Sequence, residues 1–330
     1  MRRPFHVYSH AQVARNGNIV AIQADDRTQF VPIESVSEFY MFGEVNTSKR
    51  FLELSSKHGV LVHYFNDYGH YVGTYYPLVH YSSGYMLLQQ VAAYMNEAKR
   101  MDLAGRFVSG SIRNMANVLS YYSELGAAVD AQLQACNAAI DQVRIQDSSE
   151  GLMALLVNTK ETYYHAFDAI LASSEFSYKT KRPNVERNRL DALIRLGHAY
   201  IYSAVLCEIY KTRLDPRIGY LNATHFRGFS LNLDVGEVFK PIIVDRCIFD
   251  VVSEGVINPS SFIEQSEGVR LSEVGWPTFV GELDKRLDAT VQGKPPGKGV
   301  TYRRLIRLEL YKIEKHLMED QEYEPYVARW

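Results

Sequence analysis

The chain has 330 residues, of which 46% are hydrophobic and 22% charged, and its formal net charge is −2. This composition is ordinary for a globular protein, and it excludes a uniformly basic nucleic-acid coat but not a local basic groove. No apolar run reaches the roughly 18 residues of a membrane span. Cys136, Cys207 and Cys247 are widely spaced and form neither a disulfide framework nor a metal-binding pattern. We therefore expect a cytoplasmic protein with no membrane segment.

Residues 1–80 have the pattern of a small β domain. Six short segments rich in Val, Ile, Tyr and Phe are separated by turn residues, and they read HVYSHAQVAR, NIVAIQA, TQFVPI, SEFYMFG, VLVHYFN and YVGTYY. One helix interrupts them over SKRFLELSSKHG, with Ser48 as its N-cap and Gly59 as its C-terminal stop. Six short strands predict a sandwich-like pair of sheets, whose free edges suit dimerisation.

The pattern becomes helical at residue 84. From there to residue 330, apolar residues recur at helical spacing with few breakers, except over an irregular span at residues 255–297. The sequence therefore predicts an α+β fold. In it, a small N-terminal β domain with one helix, residues 1–80, precedes a larger all-α C-terminal domain, residues 84–330.

Two carboxylates stand three residues apart in the segment that ends LNLDVGEVFK. Asp234 and Glu237 therefore share one face of the predicted helix. Such a pair can bind a hard cation such as Mg²⁺ or Mn²⁺. A solvated helix face explains the same spacing, because carboxylate pairs of this kind are common on surfaces.

Basic residues recur in two places that could hold a nucleic-acid backbone. Lys179, Lys181 and Arg182 lie in the segment YKTKRP. A second group falls along one stripe of the helix predicted near the C-terminus and comprises Arg303, Arg304, Arg307 and Lys312. Ordinary solvated surface remains the alternative, since acidic residues outnumber Lys and Arg.

The stretch LDPRIGYLNATHFRGFSLNLDVGEVFKPIIVDRCIF resembles a signature of the CRISPR adaptation integrases, the spacer-acquisition endonucleases of CRISPR systems. The blocks GSIRNMANVL and YKTKRPN and the C-terminal helix are similar to the same family, so the resemblance covers nearly the whole chain. It implies an N-terminal domain that dimerises and a helical domain that carries the active site. It also implies DNA contacts by Arg113, Tyr163, Lys179, Lys181, Arg182 and Arg246.

The chain departs from the family at two of its metal-binding positions. The resemblance implies that Asp234 and Glu237 are the retained acids of a Mg²⁺ or Mn²⁺ site. The family's His, after the Gly-Phe-Leu turn, is replaced by Asn222, and its Glu, seven residues before a Tyr-Tyr pair, is replaced by Leu156. Asn can offer only a carbonyl oxygen and Leu offers no ligand, so we expect a cation site that is weak or absent.

The resemblance leaves three hypotheses open. The first is a family member that binds DNA but is weak or inactive as an enzyme. The second is an active integrase with a rearranged metal site that uses His225 and perhaps Glu161 beside the two acids. The third is a DNA-binding regulator. The partners implied are DNA, as spacer precursor and repeat, a second copy of the chain, and the second universal CRISPR adaptation protein.

Overall fold

The computed structural model describes residues 2–24, 27–78, 81, 83–178, 188–222, 228–265, 268–292 and 299–329. Within them, the N-terminal part forms eight strands and one α-helix. The strands are β1 (Arg3–Val7), β2 (Ala11–Asn16), β3 (Ile19–Ala24), β4 (Arg27–Pro32), β5 (Val36–Met41), β6 (Val45–Thr47), β7 (Leu61–Phe65) and β8 (Tyr71–Tyr75). The helix is α1 (Lys49–His58). The predicted N-terminal β region with a single helix is thereby confirmed, although it has eight strands rather than six because one predicted segment contributes two strands and β6 was missed.

The eight strands form two four-stranded sheets, with orders β1-β5-β7-β8 and β4-β3-β2-β6. The segment predicted as one strand, HVYSHAQVAR, contributes to β1 and β2, which lie in different sheets. A strand that changes sheet keeps its apolar pattern, so the sequence could not reveal the break. Between the sheets lies a core that includes Val13, Val20, Phe39 and Val62, with Phe51 of α1.

Helix α1 begins and ends where its sequence predicts. Ser48 accepts a hydrogen bond from the backbone N–H of Phe51, which satisfies one of the free donors of the first turn. Gly59 ends the helix with φ of 64°, a left-handed conformation that glycine adopts without steric cost.

The rest of the chain is mostly helical, as predicted, and the α+β class is confirmed. Its helices are α2 (Gly84–Met95), α3 (Glu97–Glu124), α4 (Asp130–Gln142), α5 (Ser149–Tyr164), α6 (Phe167–Leu171), α7 (Arg189–Ile209), α8 (Leu231–Lys240), α9 (Arg246–Ser253), α10 (Gly275–Asp288) and α11 (Tyr302–Leu317). Two short antiparallel ribbons join them, formed by β9 (Phe262–Gln265) with β10 (Gly268–Leu271) and by β11 (Thr290–Gln292) with β12 (Gly299–Thr301). The C-terminal part is thus helical with two β-ribbons, rather than purely α.

The span predicted as irregular, residues 255–297, contains helix α10. The helix buries Phe279, Val280 and Leu283 along one side. Its first turn carries Gly275 and Pro277, residues that usually signal a loop, and these masked the helical period. Proline is tolerated there because the first N–H groups of a helix have no partner within the helix.

One hydrophobic core joins the two parts of the chain. Tyr40, Phe42 and Phe65 of the β region belong to the same buried cluster as Tyr200 of α7 and Trp276 of α10. The domain boundary predicted near residues 80–84 therefore stays a prediction, because side chains from both parts pack in one core.

Helix α7 is the central helix of this core. By length and composition it could cross a membrane, but 83% of its most apolar window is buried inside the protein. Most of the helix is thus covered by neighbouring elements, as expected for a core helix, while Arg195, His198 and Tyr202 lie on a less buried side.

Helices α8 and α9 form one rod that is interrupted by a π-helical turn at Pro241–Asp245. Proline has no N–H to donate, so a regular α-helical bond is lost at this point. Asn114 of α3 donates from Nδ2 to the Val238 carbonyl oxygen at 2.8 Å, just before the widened turn. Helix α3 thereby supports the irregular segment that follows the two carboxylates of α8.

Candidate functional site

Asp234 lies in the first turn of α8 and is fully buried. Its Oδ2 accepts hydrogen bonds from the backbone N–H groups of Tyr220 at 2.6 Å and Leu221 at 3.1 Å. Its Oδ1 accepts from the backbone N–H and the side-chain Nδ2 of Asn222, at 3.0 and 2.7 Å. Four donors thus surround one carboxylate. Burial raises the pKa of Asp234 to about 6, although these hydrogen bonds oppose the shift.

The turn before Asn222 is shaped around this carboxylate. A Cβ at Gly219 would lie 2.9 Å from Asp234 Oδ2, so only glycine allows the backbone to approach so closely. The Gly219 N–H donates to Ser230 Oγ at 2.9 Å, which ties the turn to the start of α8. Asp234 therefore organises the turn, and Asn222 is one of its donors.

Glu237 lies one turn further along α8, and each of its oxygens meets a lysine. Lys240 Nζ lies 2.6 Å from Oε1. Lys160 of α5 forms an ion pair with Oε2. The Tyr202 hydroxyl of α7 donates to Oε1 at 3.1 Å, and Lys240 Nζ lies 4.5 Å from the centre of the Tyr202 ring. We call Lys160, Tyr202, Glu237 and Lys240 the Glu237 cluster.

The charges of this cluster follow from its burial and pairing. Burial by itself raises the pKa of Glu237, but Lys160 and Lys240 outweigh it and hold that pKa well below its usual range. Burial lowers the pKa of Lys160 to about 8, against the attraction of Glu237. At neutral pH Glu237 and Lys160 are therefore both charged, and the charge of Glu237 is neutralised from within the protein.

Asp245, in the π-helical turn, is a third acid near the cluster. Burial raises its pKa to about 7, while Tyr163, Lys240 and Lys160 lower it. Tyr163 of α5 is 1% exposed and lies in the hydrophobic core beside Asp245. The structure thus places Tyr163 in the interior, and its predicted DNA contact stays a prediction.

Leu156 occupies α5 one turn before Lys160 and is 1% exposed. Residues four apart share a helix face, so the face of α5 that carries Leu156 also carries Lys160. At the position where the resemblance expects a carboxylate, the structure has an apolar core side chain.

The side chains present do not fit a divalent cation. Both oxygens of Asp234 accept hydrogen bonds, and both oxygens of Glu237 are paired with ammonium groups. Among the described residues, no group of three or more His, Cys, Asp or Glu side chains is placed to hold a metal ion. Hard cations need several free oxygen ligands with net negative charge, and this arrangement offers neither.

The remaining predicted site residues are scattered. Arg113 is exposed on α3, and the Arg246 guanidinium lies 4.5 Å above the Tyr121 ring. Glu161, the proposed substitute ligand, accepts a hydrogen bond from the Tyr178 hydroxyl at 2.9 Å. Four predicted residues lie outside the described residues, and they are Lys179, Lys181, Arg182 and His225.

The basic stripe of α11 is partly internal. Arg303 pairs with the fully buried Glu38 of β5 at 2.8 Å, and Arg307 pairs with the fully buried Glu208 at 2.6 Å. These two arginines pair with interior carboxylates, and the interpretation of this stripe as a nucleic-acid contact stays a prediction.

Sequence reasoning missed Lys160 and Lys240. Lys240 stands three residues after Glu237, a spacing that predicts an ion pair on one helix face. Lys160 stands four residues after Leu156 and so shares its helix face. A lysine beside the position where the resemblance expects a glutamate could have indicated a changed charge at this site. The ion pair between Lys160 and Glu237 depends on the packing of α5 near α8, which the sequence does not show.

Comparison with known proteins identifies the family. The sequence pattern of the family described as CRISPR associated protein Cas1 matches residues 5–285. The chain is 41% identical over 330 residues to a CRISPR-associated endonuclease Cas1 from Thermodesulfovibrio yellowstonii, with full coverage of both proteins. Its structure is similar to that of a Cas1 protein from Thermotoga maritima, with a TM-score of 0.88, 35% identity, and coverage of 98% of this chain and 100% of that one.

A more distant solved structure shares the fold. A casposase bound to its integration product matches with a TM-score of 0.87 at 17% identity, covering 100% of this chain and 96% of that one. At this identity the likeness concerns the fold alone. The family pattern across most of the sequence and the relative that is 41% identical along its full length together show that this chain belongs to the Cas1 family of CRISPR-associated endonucleases.

Proposed function

We propose that this chain is a DNA-binding Cas1-family component of the spacer-acquisition machinery whose metal-dependent endonuclease and integrase chemistry is impaired. One observation carries the proposal. Leu156, at the position of the family's metal-binding glutamate, is a buried apolar side chain that offers no ligand. Asn222 supports it, because its amide binds Asp234 where an imidazole is expected.

The loss of ligands bears directly on the chemistry. In phosphodiester reactions a bound divalent cation stabilises the charge that develops on the phosphate and its attacking and leaving oxygens. In this chain Asp234 holds the turn at residues 219–222, and Glu237 is neutralised by lysines. Both acids therefore have partners within the protein, and neither leaves an uncompensated carboxylate to bind Mg²⁺ or Mn²⁺.

The role that remains is binding. Arg113 is exposed on α3 and keeps a basic side chain in the Ile-Arg-Asn segment that resembles the family's. With a formal net charge of −2, any affinity for DNA depends on such local basic positions and falls as salt rises. The proposal keeps Arg113, Lys179, Lys181, Arg182 and Arg246 as candidate DNA contacts, whereas Tyr163, predicted with them, is buried.

Partners follow from family membership. The chain acts in the cytoplasm as a homodimer through its β domain, together with the second universal adaptation protein. Exposed apolar side chains on and just before α2 support contact with another protein, because exposed apolar patches of this kind mark interaction surfaces. They are Leu78, Tyr81, Tyr85, Leu88 and Met95.

The experiment that tests the proposal is a strand-transfer and branched-DNA cleavage assay with the purified full chain in Mn²⁺ or Mg²⁺. We expect no product above that of an Asp234→Ala variant. Product that requires Asp234 would instead support the rearranged active site, with His225 as the next residue to replace. Binding to the same DNA is measured in parallel at low and high salt, and a failure to bind at low salt would contradict the binding role.

A further inference from the structure

The position of Lys160 in the Glu237 cluster has a consequence beyond the missing ligands. Its ammonium group pairs with Glu237 Oε2 from a different helix, while Lys240 pairs with Oε1 from the same helix as Glu237. Lys240 thus leaves one carboxylate oxygen free. That oxygen is the one Lys160 occupies.

A buried carboxylate needs a compensating positive charge. Glu237 is 6% exposed, and an unpaired carboxylate at that depth strongly destabilises a folded protein. A divalent cation supplies such a charge when it is bound. Where the ligands for the cation are absent, a protonated lysine that reaches the same carboxylate supplies the charge from the protein itself.

The burial and position of Lys160 suit it to supply this charge. Its side chain is 18% exposed, and its ammonium group contacts an oxygen of the buried Glu237. It lies on the α5 face that carries Leu156, one turn away from the position of the lost carboxylate. A cation that approached Glu237 would meet the ammonium groups of Lys160 and Lys240 at contact distance, and like charges at that range repel strongly.

We propose that the Lys160 ammonium group is a resident cation that takes the place of a divalent metal at Glu237 and excludes one. The proposal rests on the proposed loss of metal-dependent chemistry and extends it. Restoring the two missing ligands alone does not restore metal binding, because Lys160 still occupies Glu237 Oε2.

The test measures Mn²⁺ binding directly, from the electron paramagnetic resonance signal of free Mn²⁺ during titration of the full chain. Two variants are compared: Leu156→Glu/Asn222→His, and the same pair with Lys160→Gln. Gln keeps a stem and a hydrogen-bond donor but has no charge. A third variant carries Leu156→Glu/Asn222→His with Lys285→Gln, which removes a lysine from the surface ion pair with Glu282.

We expect the variant lacking Lys160 to bind Mn²⁺ at least about tenfold more tightly than the other two, since ligand charge sets the affinity of such sites. Its midpoint of thermal unfolding should rise with Mn²⁺, and those of the other two should not. If the Gln variant does not fold, Lys160→Ala in the same background replaces it, and cooperative unfolding with an unchanged circular-dichroism spectrum establishes that the compared proteins are folded.

Equal Mn²⁺ binding with and without Lys160 would overturn the proposal, whether both variants bind or neither does. This outcome is distinct from failure of the proposed function, which is decided by DNA strand transfer in the unmodified chain. An unmodified chain that is inactive, together with a Leu156→Glu/Asn222→His variant that binds Mn²⁺, would leave the proposed function standing and remove the role of Lys160.

Discussion

Two buried charge clusters of this protein neutralise interior carboxylates with opposite ratios of cations to carboxylates. In the Glu237 cluster, two cations serve one carboxylate. In a second cluster, one cation serves two interior carboxylates: Arg303 pairs with Glu38 at 2.8 Å and with Asp284 at 3.3 Å, and it also lies 3.7 Å from the exposed Asp288. We call Glu38, Asp284 and Arg303, with Tyr200 and His6, the Arg303 cluster. Tyr200 donates to Asp284 at 2.7 Å, and His6 Nε2 lies 2.9 Å from the Tyr200 hydroxyl oxygen.

Both clusters connect separate elements of the fold through interior charges. The Arg303 cluster is a structural joint between β5 of the β region and helices α10 and α11. The Glu237 cluster has the same composition of interior carboxylate, cation and tyrosine, and it joins α5 to α7 and α8. Glu237, one of the two predicted metal-binding acids, thus lies in a cluster that connects three helices of the fold. The number of cations per carboxylate predicts how each cluster responds to the loss of one charge.

The largest effect is expected from Arg303→Met. This change leaves two interior carboxylates without their shared cation, and breaking a buried pair costs about 3–5 kcal/mol. The free energy of unfolding, measured by urea denaturation at pH 7, should fall by that amount. Arg304→Met, at the exposed neighbouring position, is the control and should change it little. A loss below about 1 kcal/mol for Arg303→Met would remove the structural role of this cluster.

A pH effect should be found beside the Arg303 cluster. Burial lowers the pKa of His63 to about 4, while Glu38 opposes the shift. Its Nδ1 lies 2.6 Å from Thr74 Oγ1 and its Nε2 lies 3.0 Å from Cys207 Sγ. The unfolded chain takes up a proton on this histidine below pH 6.5, but the folded chain does so only near pH 4. His63 therefore destabilises the fold progressively as the pH falls through that window.

The size of this effect at pH 5 is about 2 kcal/mol relative to pH 7, from the difference between the two pKa values. We expect His63→Gln to lose about that much less stability than the unmodified chain when the pH is lowered from 7 to 5. Urea denaturation at both pH values measures it, with the exposed His10→Gln as control. Parallel losses in all three proteins would mean that His63 is protonated in the folded state.

A smaller loss is expected from Lys160→Met. Glu237 keeps Lys240 and the Tyr202 hydroxyl, so the carboxylate stays paired. We expect the free energy of unfolding to fall by about 1–2 kcal/mol, which is less than the effect of Arg303→Met. The two variants are compared in one series of urea denaturation curves. Equal losses would show that Lys240 cannot sustain Glu237 alone and would erase the contrast between the clusters.

The smallest effect is expected from Asn222→Ala. Asp234 loses one side-chain donor but keeps three backbone N–H groups. The free energy of unfolding should fall by about 1 kcal/mol, the typical contribution of one hydrogen bond. The exposed Asn158→Ala, on α5, is the control. A loss above about 3 kcal/mol would show that the Asn222 side chain, rather than the backbone, holds the turn around Asp234.

Much of the fold was predictable because it depends on local pattern. The cap at Ser48, the stop at Gly59 and the alternation of apolar residues in the strands act within a few residues of each other. The errors came where local signals conflict with packing. The first turn of α10 carries Gly275 and Pro277, and the separation of β1 from β2 depends on which sheet each strand joins.

The candidate site also has features that the sequence predicts and others that depend on tertiary packing. The sequence by itself determined that Asp234 and Glu237 share a helix face, and that Leu156 and Asn222 stand where the family resemblance expects a glutamate and a histidine. Only the tertiary structure decided that Tyr163 is buried, that Arg303 and Arg307 face inward, and that Lys160 reaches Glu237. Helical spacing fixes which residues share a face, but it does not state which face another helix will cover. The charge state and the role of a side chain depend on that burial and on partners far away in the chain.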